Sequence, residues 1–221
     1  AALEVKELFK THLLAGRVGY SVLENNQVGY FRQDLRQQSA QSDYLAGIKL
    51  KVKRNEYLDI FLSQIRLQMQ STGTVTVEVW DLTSGVRLDT INCSATANVP
   101  TSTRVSKVYK TEGQVLNLFI GYDASAASIQ TEVSQSALCC GQTVKANRHC
   151  EYGGFKILKS ADKIEGNLLS QNGTSGLNIT YSLNCNHDGY ICKNRDALTY
   201  GILQKARAKI VMAQRFSDRL N

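Results

Sequence analysis

The sequence lacks any long hydrophobic segment. None of its 221 residues lies in a run of about 18 apolar side chains, the length that a helix needs to cross a bilayer. The first twenty residues also lack the apolar centre of a signal peptide, because Glu4, Lys6, Glu7 and Lys10 interrupt them. We therefore expect a chain that neither spans a membrane nor is exported, and whose 43% hydrophobic content suits one large globular domain or two small ones.

Motifs for catalysis are also missing. The three histidines fall in no pattern typical of nucleophilic or metal-dependent hydrolysis, and no glycine-rich loop is placed to bind phosphate. These histidines are His12, His149 and His187. The carboxylates Asp81, Asp89 and Asp123 follow strands or lie in turns, where capping is commoner than acid catalysis. The pattern predicts a protein that is not an enzyme and that needs no cofactor.

No CxxC pair is present, although the chain has six cysteines and five of them lie between residues 139 and 221. Four of these thiolates could hold zinc, with His149 and His187 nearby, but their spacing matches no familiar zinc site. An even number also permits disulfides, yet the adjacent Cys139 and Cys140 are awkward to pair. We favour free, buried thiols in a reducing compartment and expect no metal.

Basic residues exceed acidic ones, but they form no long run. The formal charge is +7, which favours an anionic partner. Lys49, Lys51 and Lys53 alternate with aliphatic residues, which is typical of a strand with one solvated face. No motif for reading nucleic-acid sequence is present, so such a role is not predicted.

The N-terminal 43 residues differ in character from the rest. Residues 3 to 14 place Leu3, Leu8 and Leu13 at spacings that predict a short amphipathic helix. Residues 16 to 43 are rich in glycine, asparagine and glutamine and have too few apolar residues for a core of their own. They predict an extended arm that reaches over a neighbouring domain or subunit, although composition equally permits plain disorder.

Between residues 44 and 123 apolar residues recur at every second position, as in β-strands. The alternation changes parity between Leu62 and Ile65, which indicates either a β-bulge near Ser63 and Gln64 or a break into two strands. Several such strands without intervening helices predict an antiparallel β-sandwich core.

The remaining residues predict three further pieces. Residues 124 to 176 are small and polar and indicate an irregular excursion or insertion. Residues 177 to 185 alternate as a strand does. Residues 195 to 220 carry an apolar stripe at helical spacing and predict a long C-terminal helix. The expected fold class is thus mainly β with flanking α: a β-sandwich, an N-terminal helix and arm, and a C-terminal helix.

The last segment carries motifs of a recognisable kind. They are Gly176-Leu177-Asn178, Tyr181-Ser182-Leu183-x-Cys185, Tyr190-Ile191-Cys192 and Ser217-x-Arg219-x-Asn221. With the elements Gly47-Ile48, 58 to 70, 73 to 77 and 88 to 91, the chain from about 44 to 221 resembles virion proteins of phages and prophages of Bacteroidetes, including crAss-like phages. Neither the arm nor the region around 139 to 150 matches a motif of that family.

The resemblance implies a structural protein of the virion neck, assembled in the cytoplasm of a bacterial host. It would form a homo-oligomeric collar or adaptor ring at the head-to-tail connector, of about twelve copies if it matches a portal. Its partners would be other copies of itself, the portal and further neck and tail proteins. A passing contact with genomic DNA would also be possible. The subunit-interface candidates are Leu8, Phe9, Leu13, Tyr30, Phe31, Arg207, Ile210, Arg215 and Phe216.

Two other functions remain open. The first is a β-sandwich carbohydrate-binding module for host attachment, with Trp80, Tyr109 or Tyr122 as a stacking platform. Its aromatic residues are dispersed along the sequence, whereas a sugar platform usually gathers them on one face or loop cluster. The second is a neck protein that binds DNA, for which strong salt-dependent retention on duplex DNA is expected.

Overall fold

The computed structural model describes residues 21–29, 36–38, 41–53, 57–110, 115–125, 129–131, 144–146, 149–171 and 173–186, and separate positions between 199 and 211. The chain divides into two compact units. One unit is Ser21–Cys185, and the other consists of Ala1–Tyr20 and Asn186–Asn221. The first of these units contains all the strands described below.

Within the described ranges, thirteen strands and one 3-10 turn are delimited. The strands are β1 (Ser21–Val28), β2 (Arg36–Gln38), β3 (Tyr44–Val52), β4 (Leu58–Leu67), β5 (Gly73–Asp81), β6 (Val86–Ala95), β7 (Thr101–Tyr109), β8 (Asn117–Asp123), β9 (Ile129–Thr131), β10 (Val144–Ala146), β11 (Cys150–Leu158), β12 (Leu169–Ser170) and β13 (Leu177–Cys185). The 3-10 turn is Glu165–Asn167.

These strands form two antiparallel sheets that share one core. The smaller sheet has the order β1-β13-β4-β7. The larger has the order β10-β11-β3-β8-β5-β6, with β12 added on β11, and β2 and β9 pair separately. The core draws buried side chains from both sheets, such as Ile48, Ile120 and Val77 of the larger one and Ile60 and Ile179 of the smaller one. Burying one face of each sheet in a common layer is what makes the pair stable.

Alternation along the strands decides which residues enter this core. In β3, Ile48 and Leu50 are fully buried in it, whereas Lys49 and Lys51 point to the other face of the sheet. The predicted parity change in β4 is accommodated by a bulge, since register shifts on both neighbouring strands skip Ser63. The Ser63 hydroxyl donates to the Thr180 carbonyl at 3.0 Å, which satisfies a group that the bulge displaces. One strand therefore keeps a single buried face.

A second, smaller apolar layer lies on the outer face of the larger sheet. Leu45, Phe119, Phe155 and Ile157 are buried there together, with Trp80 packed against them. Residues 159–170, which we call the strap, cover part of this layer through Leu168. This explains why β8 is buried on both faces along almost its whole length.

The predicted fold class is wrong in its helical part. Among the described residues no long helix is delimited, and the 3-10 turn Glu165–Asn167 is the only helical element that has bounds. The described positions between 199 and 211 have helical backbone, and among them Leu203 and Ile210, which the predicted stripe would bury, are 51% and 58% exposed. An apolar period of 3.6 needs a surface to pack on before it specifies a long helix. The helix predicted for residues 3 to 14 lies outside the described residues.

Two further predictions need correction. Part of the expected extended arm is folded, because β1 pairs with β13 of the same chain and β2 pairs with β9. Part of the expected excursion is also regular, because β11 pairs with β3 along its full length from Cys150 to Leu158. The folded β unit thus extends beyond residues 44 to 123, since hydrogen bonding to a neighbouring strand recruits segments whose own sequences alternate poorly.

Candidate functional site

An open cleft of about 610 Å³ lies where the larger and smaller sheets separate. Its sides come from the start of β6 and the end of β7, which are the last strands of their respective sheets. Its lining residues are Asp81, Thr83, Leu88, Asp89, Lys107, Val108, Tyr109, Lys110, Val115 and Leu116. This volume is within the range of ligand sites in proteins. Because both sides are terminal strands, the cleft combines side chains with strand edges.

An ion pair joins the two sides of the cleft. Lys107 Nζ lies 2.9 Å from Oδ2 of Asp89, and the other carboxylate oxygen, Oδ1, accepts the Thr90 backbone amide at 2.9 Å. The hydrogen bond from Lys107 is the largest influence on Asp89 and, despite partial burial, holds the pKa of that carboxyl below its ordinary value. Asp89 therefore stays ionised and its charge is balanced within the protein.

Behind this pair lies a tyrosine with an unsatisfied hydroxyl. Tyr109 is 7% exposed, and its hydroxyl has no hydrogen-bond partner among the described residues. Burial, with a further contribution from the negative charge of Asp89, raises the pKa of Tyr109 well above its ordinary value. The group thus remains a protonated donor, and a buried donor without an acceptor destabilises the empty protein.

The rim of the cleft is apolar and exposed. Val86, Leu88 and Val108 are 55%, 45% and 51% exposed. Within the described part of the chain, no strand pairs with the outer edge of β6 or of β7. Long, uncovered edge strands with aliphatic side chains favour pairing with other chains.

A second groove, of about 520 Å³, lies on the outer face of the larger sheet beside Trp80. Trp80 is half-buried, and its indole Nε1 donates to Glu78 at 2.9 Å. Arg87 Cζ and Lys163 Nζ lie 5.8 and 5.7 Å from the ring centroid. Most polar groups near this ring are therefore already engaged with one another.

The strap that borders this groove is held by two charged side chains. Lys163 Nζ donates to the backbone carbonyls of Leu158, Lys159 and Ala161, and burial lowers its pKa. Glu165 accepts Lys49 Nζ at 2.5 Å, Lys51 Nζ at 3.0 Å and Asn117 Nδ2 at 2.8 Å.

The hydrogen bond from Lys49 is the main cause that lowers the pKa of Glu165. Together these contacts fix the strap to the sheet that carries Trp80.

The interface residues predicted from the sequence are mostly outside the described residues, namely Leu8, Phe9, Leu13, Tyr30, Phe31, Arg215 and Phe216. Arg207 and Ile210 are described, and both are exposed.

Of the proposed stacking aromatics, Tyr122 is fully buried and donates to the Ser175 carbonyl at 2.7 Å, and Tyr109 is almost fully buried. Neither can present a ring face to a sugar, which leaves Trp80.

The cysteines and carboxylates make no metal cluster in the described part of the chain, where no three metal-binding side chains converge. Cys93 and Cys150 are buried and form no disulfide within that part of the chain. Burial raises the pKa of the Cys93 thiol, and it raises the pKa of the Cys150 thiol to about 11. The described residues also contain no helix that is long and apolar enough to cross a membrane.

Sequence reasoning missed the cleft, although one signal was present. Cys93 and Ala95 of β6 alternate into the core with Ile91 packed against it, and the same alternation places Asp89 on the inward side. A carboxylate at an inward position predicts a cation opposite, which is Lys107. No local pattern could show that β6 and β7, the terminal strands of two different sheets, lie side by side.

Comparison of the chain with protein-family models, with curated proteins and with solved structures found no match in any of the three. A function is therefore proposed from the geometry of the cleft and from the family resemblance of the chain's sequence motifs.

Proposed function

We propose that this chain is a structural protein rather than a catalytic one, and that its β unit associates edge to edge with neighbouring subunits. Following the resemblance, the assembly would be a homo-oligomeric collar or adaptor ring at the head-to-tail connector of a phage, beside the portal. It would be assembled in the bacterial cytoplasm and retained in the virion neck.

The uncovered β6 and β7 edges carry this proposal. They place exposed Val86, Leu88 and Val108 next to strand backbones that lack a partner among the described residues. A monomeric protein usually covers such an edge, and no described strand pairs with the outer edge of β6 or β7. Repeated contacts between one surface and a different surface of the next copy close into rings, and the β6 and β7 edges are two different surfaces of one subunit.

The contacts of the carboxylates near the clefts support a structural role. Within the described residues these carboxylates are engaged by cations or turn groups, as Asp89 is by Lys107 and Asp81 is by Thr83 and Ser84. Contact with passing DNA remains part of the proposal only as a weak, salt-dependent interaction.

Mass photometry of the purified protein, alone and mixed with the portal, tests this function. We expect a discrete oligomer and its loss in Val108→Lys, since a buried charge on the edge opposes pairing. Leu169→Lys is the matched control, because Leu169 is 45% exposed but lies on β12. The proposal would be contradicted by a protein that stays monomeric and does not bind the portal. It would also be contradicted if Val108→Lys and Leu169→Lys reduced oligomer formation equally.

The Trp80 groove favours a second candidate, carbohydrate binding. It presents a half-buried indole beside Thr74, Thr76 and Glu78, a mixture typical of sugar sites. A glycan array with clear hits that Trp80→Ala abolishes, from a protein that remains monomeric, would favour this function over the ring.

A further inference from the structure

The β6–β7 cleft has three unsatisfied features that one kind of ligand would satisfy together. Among the described residues, the buried Tyr109 hydroxyl has no hydrogen-bond partner and the outer edges of β6 and β7 are unpaired, while Leu88 and Val108 are exposed. An extended peptide supplies carbonyl acceptors, a strand backbone and alternating side chains at once. A compact small molecule would satisfy the hydroxyl but not the strand edges.

The charges along β7 indicate the sign of that peptide. Asp89 is neutralised by Lys107, whereas Asp81, at the end of β5, accepts only the neutral Thr83 amide and Ser84 hydroxyl and keeps its negative charge. Lys110 lines the cleft and is exposed, and no carboxylate of the described residues pairs with it. Arg104 of β7 is also exposed, and no carboxylate of the described residues pairs with it. The uncompensated charge along β7 is positive, so it complements an acidic partner.

We propose that the β6–β7 cleft binds an extended peptide segment of a partner protein, in which aliphatic side chains alternate with acidic ones. The segment adds as a strand along β7, inserts an aliphatic side chain between Leu88 and Val108, and places a backbone carbonyl on the Tyr109 hydroxyl. Its carboxylates face Lys110 and Arg104. This inference rests on the proposed edge-to-edge assembly and names the chemistry of the segment that it recognises.

Fluorescence anisotropy of a labelled octapeptide that alternates valine and glutamate is the direct test. The titration uses the full chain at a concentration where mass photometry shows monomers. We expect saturable binding, at least tenfold weaker binding of the octapeptide that alternates valine and lysine, and weakening by added salt. No saturation, or equal binding of the two peptides, would overturn the proposal.

Two variants separate this role from a merely structural one. Tyr109→Phe should weaken peptide binding about tenfold, the effect of one lost hydrogen bond, while the urea midpoint of the free protein stays the same or rises. Lys110→Glu should reduce the preference for the acidic peptide at least tenfold, whereas Lys159→Glu, the same charge change at the Trp80 groove, should leave it unchanged.

If Tyr109→Phe lowers the urea midpoint and leaves binding intact, the hydroxyl has a structural partner and the inference is wrong. If the peptides fail but Tyr109→Phe weakens self-association, the occupant is a second copy and the acidic-peptide inference is wrong, while the ring proposal stands. Peptide binding by a chain that never oligomerises, even with portal, would leave this inference standing and refute the ring.

Discussion

Replacing Glu165 with alanine should detach the strap from the larger sheet and destabilise the β unit. The carboxylate receives Lys49, Lys51 and Asn117, so its removal leaves two neighbouring ammonium groups without a counter-charge. The Lys49 side chain is only 11% exposed, so its charge cannot be fully rehydrated where it lies.

The magnitude follows from the exposure of the partners. Removing one member of a fully buried ion pair costs about 3 to 5 kcal/mol. The Glu165 side chain is 42% exposed and the Lys51 side chain 35%, so solvent screens much of the interaction. We expect a loss of about 2 kcal/mol for Glu165→Ala and about 1 kcal/mol for Glu165→Gln, which retains an acceptor but no charge.

Urea unfolding followed by tryptophan fluorescence is the assay. Trp80 is the only tryptophan of the chain and lies on the face that the strap borders. With a slope of about 2 kcal/mol per molar urea, Glu165→Ala should lower the midpoint by about 1 M. Glu151→Ala is the control, because its carboxylate is similarly exposed at 40% but pairs only with Lys53, at 3.7 Å.

The effect should also depend on pH in one direction. The folded pKa of Glu165 is lower than its ordinary value of 4.5, so ionisation stabilises the folded state above pH 4.5. That stabilisation is lost as the pH falls through the lower, folded pKa. The difference between wild type and Glu165→Gln should therefore be full at pH 7 and vanish in strong acid. A midpoint shift equal to that of the control, or one unchanged between pH 7 and acid, would refute this account.

Three further predictions concern the β unit. Gly154→Ala should cost at least about 3 kcal/mol in thermal unfolding, because its methyl group would overlap the backbone carbonyl of Gly173. The methyl group of Gly73→Ala meets nothing within 4 Å, so this control should change stability little, and equal melting temperatures of the two variants would disprove the contact. Deleting Ser63 should abolish cooperative unfolding by shifting half of β4 to the wrong face, whereas Ser63→Ala should cost about 1 kcal/mol, and a deletion variant that melts normally would rule out the bulge. Peptide mapping after maleimide labelling at pH 8 should find Cys93 and Cys150 modified only in urea, since both thiols are buried with raised pKa values; rapid labelling of the folded protein would contradict their burial.

Local patterns predicted much of the β unit correctly. The alternation from residue 44 to 123 predicted several strands without intervening helices, and β3 to β8 lie within that range. The parity change in β4 predicted either a bulge near Ser63 and Gln64 or a break into two strands, and the structure has the bulge. The turn between β5 and β6 is also set by local residues, since the Asp81 side chain accepts the Thr83 amide and Gly85 adopts a positive φ of 72°.

The failures share a cause. β11 contains Gly153 and Gly154 within a polar region, so it does not alternate clearly, yet it pairs with the whole of β3. The helix predicted for residues 195 to 220 had a clear period, yet its described apolar positions are exposed. Strand addition depends on a neighbour's free hydrogen bonds and helix burial on an available surface, and neither is written in the segment itself.

The amino-acid sequence alone determined where this chain alternates, where it turns and where one extra residue is needed, because these properties depend on neighbours along the chain. Only the tertiary structure decided that β6 and β7 end different sheets side by side. That placement brings Asp89 into an ion pair with Lys107. It also buries the Tyr109 hydroxyl, for which the described residues provide no acceptor. Sites of this kind arise from residues that meet across two sheets, and their distances are fixed by packing rather than by spacing in the sequence.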